Sequence, residues 1–290
     1  MSIKTINPEE VSVAKFHGYM LGAVAPRPIA FASTVDRDGN VNLSPFSFFN
    51  CFSANPPILI FSPARRIKDN TTKHTLENVL VHDEVVINIV NHAIVEQMSL
   101  SSMEYDKGVN EFEKSGLTQI SSQIVRPPRV GESPVSFECK VIEVKSLGTE
   151  GGAGNLVICE VLLMHIKEEV LDDDVRIDPF KLDSVTRMGG NWYCRAQGNA
   201  IFEIPKPTAI KGIGVDQIPE HIRNSNVLTG NNLGRLGNIE RFPDESSINE
   251  YSHREDVKEA KRKGEIHLLA KTLLEKGEVE NAWKVLLLKI

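Results

Sequence analysis

The feature that most constrains the fold is a short polar turn, Asp36-Arg37-Asp38-Gly39-Asn40, between two apolar runs. An Asp-Gly pair flanked by such runs is the strongest short-range signal for a β-hairpin, because glycine adopts the positive φ that tight turns require. We therefore predict that residues 29–35 pair with a strand returning over residues 41–50. Pro45 removes a backbone donor from the returning strand, which predicts a sheet edge or a bulge there.

Several later segments also indicate short strands. Residues 58–62 and 85–90 are apolar apart from Ser62 and Asn88, and residues 135–144 and 156–166 flank a glycine-rich loop over residues 148–154. Alternation of apolar and polar positions, as in residues 135–144, is typical of a half-buried strand. Many short strands with few helices predict a mainly β fold, an antiparallel β-barrel with peripheral helices.

The C-terminal part of the chain has a different composition. Residues 204–207 read as a linker, and an apolar helical pattern further on is interrupted by Gly264 and Gly277. We therefore predict a barrel domain over residues 1–200 and a C-terminal extension over residues 201–290. The extension is expected to begin with an extended arm, and the helical pattern over residues 252–287 is expected to form two or three short helices.

Composition limits the classes of function. The 290 residues are 41% hydrophobic and 25% charged, as in an ordinary globular protein, and the net charge of −6 argues against a nucleic-acid partner. No apolar run reaches the roughly 20 residues of a membrane-spanning helix. The four cysteines stand far apart, the N-terminus lacks an apolar signal core, and the histidines lack paired ligand spacing. We expect a cytoplasmic protein without a membrane contact or a metal site.

The returning strand of the first hairpin combines polar and aromatic side chains. Asn42, Ser44 and Ser47 interrupt a run that contains Phe46 and Phe48. Small hydroxyls and an amide beside aromatic rings suit a flat ligand with polar edges, such as a flavin. On composition alone, the simpler interpretation is favoured, in which Ser and Asn lie on the solvent face of a hairpin.

A basic loop follows the strand over residues 58–62. Its donors are Arg65, Arg66, Lys68, Thr71, Thr72, Lys73 and Thr75. Thr75 is predicted to cap a short helix. Cations, hydroxyls and free amides at a helix N-terminus together form an anion site, and phosphate is the usual occupant. A solvated loop is the alternative, but a phosphate site next to a flat-ring site is the outline of a mononucleotide pocket.

The same segments carry a resemblance to a known family. They are APRPIAFASTVDRDGNVNLSPFSFFN (25–50), NPPILIFSPARR (55–66), TKHTLEN (72–78), VVINIV (85–90), EFEKSGLT (111–118), ESPVSFECKV (132–141) and RMGGNWY (187–193). In this order they resemble the flavin reductase-like family, the FMN-binding split β-barrels. That family includes flavoredoxins and the reductase components of two-component monooxygenases.

The resemblance implies an FMN-binding split barrel with a C-terminal helical extension, and FMN bound at a homodimer interface. The implied contacts to the flavin ring and ribityl chain are Thr34, Asn42, Ser44, Pro45, Phe46, Ser47 and Asn50. The implied residues at the phosphate end are Ser62, Arg65, Lys73, Thr75 and Asn78. Trp192, with Asn88, Arg187 and Gly190, is a candidate for the cleft wall or the dimer contact.

The function that follows from the resemblance is an NAD(P)H-dependent flavin reductase, with NADH or NADPH as donor and a monooxygenase or redox protein as partner. His165 is a candidate for the nicotinamide side of the site. One alternative is a flavoredoxin-type FMN electron carrier that accepts electrons from a protein. Another is a flavin-storing protein without turnover. We further hypothesise that residues 212–243 wrap the barrel or cover the flavin site.

Overall fold

The computed structural model of the protein describes residues 2–204 and 211–288. They fall into two compact units, Met1–Phe202 and Glu203–Ile290. Apart from Ile204, the predicted linker over residues 204–207 lies outside the described residues. Among the described helices, none combines the length and the apolar character that a bilayer crossing requires.

The first unit contains all of the strands named here and five of the α-helices. The strands are β1 Ala30–Val35, β2 Val41–Phe46, β3 Phe49–Ala54, β4 Pro57–Phe61, β5 Glu84–Ile89, β6 Gln119–Ile120, β7 Arg129–Val130, β8 Val135–Ser146, β9 Asn155–Ile166, β10 Val185–Arg187 and β11 Tyr193–Arg195. The helices are α1 Val13–Ala23, α2 His74–His82, α3 Val95–Leu100, α4 Glu111–Ser115 and α5 Pro179–Leu182. Short 3-10 turns lie at Pro8–Glu10, His92–Ile94, Glu168–Val170 and Gly198–Ala200.

A seven-stranded antiparallel sheet forms this unit, in the order β2-β1-β5-β8-β9-β4-β3. The β1–β2 and β8–β9 pairings confirm both predicted hairpins. The predicted extent of the first returning strand was wrong, because β2 ends at Phe46 and residues 49–50 belong to β3, which pairs with β4. The sheet curls so that its two ends approach, and the Phe46 and Phe61 rings meet with centroids 5.4 Å apart. The edges at β2 and β3 do not pair with each other, so the barrel is open between them.

The prediction that Pro45 marks a sheet edge is confirmed. In the seven-stranded sheet, β2 pairs on one side, with β1, and Pro45 lies opposite Phe31. A residue without an N–H is tolerated there because only one side of the strand needs ladder donors.

Strand β1 is buried along its whole length because both of its faces are covered. Ala30 and Ala32 pack with Leu76 of α2 in one apolar cluster. Phe31, pointing to the opposite face, packs with Met98 of α3 and Phe112 of α4 in another. Helices α2 and α4 therefore flank the β1–β2 edge from opposite sides.

The predicted cap of α2 was wrong. The helix begins at His74, and Lys73 occupies the cap position without a side-chain capping bond. The Thr75 hydroxyl instead donates to the side-chain oxygen of Asn42 on β2, at 2.7 Å. The Thr75 side chain therefore bonds to a buried residue of another element, and not to the backbone amides of its own helix as the sequence suggested.

The second unit is helical. Its helices are α6 Glu220–Arg223, α7 Gly230–Leu236, α8 Glu245–Ser252, α9 Glu255–Lys263, α10 Ile266–Glu275 and α11 Val279–Leu286, preceded by a 3-10 turn at Val215–Gln217. Gly264 and Gly277 follow α9 and α10 with φ of 70° and 80°, which confirms the predicted division into short helices. The core centres on Trp283, which is fully buried and donates its indole N–H to the carbonyl of Leu236 at 3.0 Å.

Candidate functional site

A cleft lies in the first unit where the edge strand β2 meets the start of α2 and the loop between α3 and α4. We call it the β2 cleft, and its volume is about 50 Å³. It is lined by Asn42, Ser44, Pro45, Phe46, Arg66, Lys73, His74, Ser102, Met103, Glu104, Tyr105 and Glu111. Five of the residues predicted to bind the cofactor are therefore brought together here: Asn42, Ser44, Pro45, Phe46 and Lys73.

A buried carboxylate, Glu111, organises one wall of the cleft. Its two oxygens accept hydrogen bonds from the Asn42 side-chain amide and the Leu43 backbone N–H, each at 2.9 Å. The Asn42 oxygen accepts in turn from Thr75. Burial raises the pKa of Glu111 above its ordinary value, and the hydrogen bonds from Leu43 and Asn42 oppose that rise. The network joins α4, β2 and α2 through groups that are almost fully buried.

A second polar pair connects β1 with α2. The Asn78 side-chain amide donates to the Thr34 hydroxyl at 3.0 Å, and both residues are buried. Thr34, Thr75 and Asn78 thus support the β2 cleft without lining it. Direct contact of these three side chains with a cofactor stays a prediction.

Two cations converge at the opposite end of the cleft. The Arg66 Nε lies 2.6 Å from Glu104 Oε1, and the Lys73 Nζ lies 4.0 Å from the same oxygen. Arg66 Nη1 also donates to the Thr71 hydroxyl at 2.9 Å and to the Thr72 carbonyl at 2.5 Å. The pKa of Lys73 is lowered by burial and then by Arg66, while Glu104 opposes that shift. The corner is therefore cationic and half-buried.

Arg65 and Ser62 lie near this corner in sequence but do not line the cleft. Arg65 turns to Asn70, donating to its side-chain and backbone oxygens at 2.6 Å each. The buried Ser62 hydroxyl accepts from the Asn155 backbone N–H at 3.1 Å. Their roles at a phosphate stay predictions, whereas Arg66, which belonged to the predicted basic loop but not to the expected cofactor contacts, lines the cleft.

A buried arginine that sequence reasoning missed lies beside Ser47. Arg27 Nε is 3.4 Å from the Ser47 hydroxyl, and its other nitrogens donate to the carbonyls of Leu21, Val24 and Met188. The pKa of Arg27 is lowered, chiefly by burial. Because it satisfies the C-terminal carbonyls of α1, this guanidinium fixes that helix against the end of β2.

The remaining predicted contacts lie on the surface. Asn50 is exposed on β3, where its side-chain oxygen accepts from the Cys51 backbone N–H at 2.8 Å. Trp192 is 76% exposed in the turn between β10 and β11. Neither residue lines the β2 cleft, and their contact with a cofactor stays a prediction.

His165 lies on β9 and pairs with a buried carboxylate. Its Nε2 is 2.7 Å from Glu138 Oε1, and the carboxylate also accepts from the backbone amides of Gln123, Ile124 and Val125. Burial alone would raise the pKa of Glu138, but these four donors together lower it below its ordinary value. His165 is not among the residues that line the β2 cleft, and its role toward nicotinamide stays a prediction.

Comparison with known proteins identifies relatives of the first unit. Residues 21–179 match the family described as flavin reductase like domain. An uncharacterized protein from Aquifex aeolicus is 38% identical over 185 residues, covering 64% of this chain and 92% of its own. The match to the family ends before the C-terminal unit begins.

Solved structures give the same result. Nitrilotriacetate monooxygenase component B from Bacillus cereus has a TM-score of 0.66 and 28% identity, covering 70% of this chain and all of that one. A Shewanella frigidimarina protein, described as a flavin reductase with a split barrel domain, has a TM-score of 0.58 and 28% identity, covering 68% and 95%. The expected split barrel with peripheral helices is thereby confirmed, and helices α6–α11 of the second unit confirm the expected C-terminal helices.

Removing Asn42 should destabilise the protein, because Asn42→Ala leaves Glu111 Oε1 and the Thr75 hydroxyl each without its buried partner, although Leu43 still donates to Glu111 Oε2. We expect the free energy of unfolding to fall by about 2–4 kcal/mol, as measured by urea denaturation. Asn40→Ala, in the exposed hairpin turn, is the matched control and should cost less than about 1 kcal/mol. Equal losses in the two variants would contradict a structural role for the Glu111 network.

The Glu138 site should make stability depend on pH. Its pKa is lower folded than unfolded, so its stabilisation is present above the ordinary carboxyl pKa of about 4.5 and is lost as pH falls through the lowered value. We expect Glu138→Gln to cost about 2–4 kcal/mol at pH 7.

The difference between wild type and Glu138→Gln should shrink steadily in urea titrations repeated at lower pH. Glu143→Gln, at an exposed position on the same strand, should leave the pH dependence of stability unchanged. If the loss of stability in Glu138→Gln stays constant down to acid pH, the lowered pKa of Glu138 in the folded protein would be contradicted.

Proposed function

The chain belongs to the flavin reductase-like family, and from this premise we propose that it is an FMN-binding oxidoreductase that passes a hydride from NADH or NADPH to flavin. The observation that carries the proposal is the β2 cleft. It combines an edge strand with hydroxyl and aromatic side chains at one end and the cations Arg66 and Lys73 at the other. A flavin mononucleotide has the matching chemistry, a flat ring with polar edges joined to a phosphate.

The donor set fits such a ligand. Arg66 and Lys73 lie beside the N-terminus of α2, where the first backbone amides have no acceptor inside the helix. We propose that these groups hold the phosphate. Phe46 and the exposed backbone of β2 around Ser44 would contact the ring, and the Glu111–Asn42–Thr75 network keeps that strand in place.

A bound flavin would accept the hydride at its N5 atom and supply the redox chemistry. The side chains of this chain orient the ring and stabilise charge. The hydroxyls of Ser44 and Ser47 would stabilise negative charge that develops on the pyrimidine side of the ring. We retain His165 as a proposed contact on the nicotinamide side.

We also propose that a second copy of the chain completes the site. Helix α1 is apolar, yet none of its residues is buried. Phe52, on the edge strand β3, is 62% exposed, and Phe48, whose ring packs edge-on against His17 of α1, is 40% exposed. Contiguous exposed apolar surface of this kind marks interfaces. A homodimer would cover it and would bring the exposed Asn50 of β3 into the interface.

The acceptor of the reduced flavin is part of the same proposal. A monooxygenase or another redox protein would take the electrons from the reduced flavin. In two-component monooxygenases, the oxygenase takes them from the flavin that its reductase component has reduced. We propose a cytoplasmic location, where NADH and NADPH are supplied. The flavoredoxin-type electron carrier, which accepts electrons from a protein, is the competing function that the next experiment separates.

The purified full-length protein should bind FMN and be reduced by a nicotinamide. We expect flavin absorbance bands that bleach within seconds of anaerobic NADH or NADPH addition, because hydride transfer removes the oxidised chromophore. The faster nucleotide identifies the donor. Yellow protein that neither nucleotide bleaches would favour the electron carrier, and protein that binds no added FMN would overturn the proposed function.

A matched pair of variants tests the phosphate end. Lys73→Gln should weaken FMN binding by about tenfold or more, because it removes a charge-assisted contact. Lys68→Gln makes the same charge change at an exposed position of the same loop and should leave the FMN dissociation constant nearly unchanged. Equal effects of the two substitutions would show that only overall charge matters.

Light scattering after size-exclusion chromatography should show a dimer at micromolar concentration. Phe52→Glu places a charge in the proposed interface and should shift the mass to that of one chain. Leu80→Glu, at a position of α2 that is 64% exposed, is the control and should leave the dimer intact. A monomeric wild type would contradict the homodimer.

A further inference from the structure

The two cations of the β2 cleft already hold an anion that belongs to the chain itself. Glu104 Oε1 lies 2.6 Å from Arg66 Nε and 4.0 Å from Lys73 Nζ. Arg66 is also fixed by its bonds to Thr71 and Thr72, which come from the same loop. The guanidinium therefore keeps its orientation whether or not Glu104 is bound to it.

Glu104 is placed so that its ion pairs with Arg66 and Lys73 can break. It is 61% exposed and lies in the loop between α3 and α4, which has no regular secondary structure. The ends of that loop are anchored, by the buried Met98 on α3 and by the Glu111 network on α4. Movement of the segment between them would break the ion pair without opening the core.

The segment also obstructs the cleft. Met103 and Tyr105, on either side of Glu104, line it, and the volume that remains is about 50 Å³. Pockets for ligands of this size are roughly 300–1,000 Å³. A flavin that occupied this cleft would have to displace Met103 and Tyr105, and their displacement would move Glu104, which lies between them in sequence, away from the cations.

We propose that Glu104 is an internal competitor for the phosphate of the incoming flavin, and that it sets how tightly the flavin is held. This inference rests on the proposed function. A phosphate monoester carries about −1.5 to −2 charges at neutral pH, against −1 for the carboxylate, so the exchange favours phosphate. Each binding event nevertheless breaks an existing ion pair, which lowers affinity and speeds release. Flavin is then an exchangeable ligand rather than a permanently bound group.

Full-length Glu104→Gln tests the proposal. It keeps a hydrogen-bond acceptor for Arg66 but removes the competing charge. From fluorescence titrations, we expect FMN to bind about five- to tenfold more tightly than to wild type. Riboflavin, which has no phosphate, should change by less than about twofold because nothing in it competes with Glu104.

Two further variants control the experiment. Glu96→Gln makes the same charge change at an exposed position of α3 and should leave both dissociation constants as in wild type. In an Arg66→Gln background, adding Glu104→Gln should tighten FMN binding by a clearly smaller factor, because only Lys73, 4.0 Å from Glu104, is then left for the two anions to compete for.

The outcomes separate this inference from the proposed function. Wild type that binds FMN, with Glu104→Gln unchanged or weaker, would overturn the competitor role and leave FMN binding in place. An equal gain for FMN and riboflavin would also overturn it, since the effect would then come from loosening the loop. If neither wild type nor Glu104→Gln binds FMN, the proposed function and this inference fail together.

Discussion

The candidate site depends on the way one carboxylate completes an open sheet edge. Strand β2 pairs with β1 alone, so its outward amide at Leu43 has no neighbouring strand to bond. Glu111 of α4 accepts that amide and the Asn42 side chain. A carboxylate of helix α4 thus supplies the hydrogen-bond acceptor that a neighbouring strand would otherwise provide. This leaves the edge ordered yet closed to pairing with other chains.

The two buried carboxylates of the barrel show how donors decide the charge state. Burial is the largest influence on the pKa of both Glu111 and Glu138. Glu111 accepts from Asn42 and Leu43, and its pKa stays raised. Glu138 accepts from three backbone amides and from His165, and its pKa falls. Glu138 therefore favours the ionised state and ties the loop before β7 to the sheet. For Glu111, the donors do not fully offset the cost of burying a charged carboxylate beside the cleft.

Features set by neighbouring residues could be predicted from the sequence. The hairpin at Gly39, the edge position of Pro45 and the helix breaks at Gly264 and Gly277 each follow from the backbone preferences of single residues. The cap of α2 could not, because Thr75 finds its partner on a strand more than thirty residues away in sequence. Resemblance to a family supplied most of the expected site residues, and five of them line the cleft.

What the sequence could not provide was the identity of charges that meet across long separations. Arg65 and Arg66 are adjacent and chemically identical, and only the path of the loop turns one toward Asn70 and the other into the cleft. The sequence around Glu111 carries no signal for its partner on β2, and the sequence around Glu104 carries none for its partners in the basic loop.

The cationic corner also imposes a compromise between the stability of the chain and its affinity for anions. Arg66 and Lys73 repel each other, and burial already lowers the pKa of Lys73. Without a counterion, the corner would be strained by like charge in a half-buried site. Glu104 relieves that repulsion, but any anion of the chain that stabilises the corner must be displaced before a ligand can bind there. Stability of the free protein and affinity for a phosphate are therefore opposed at this corner, and a carboxylate on a movable loop is a physical means of balancing them.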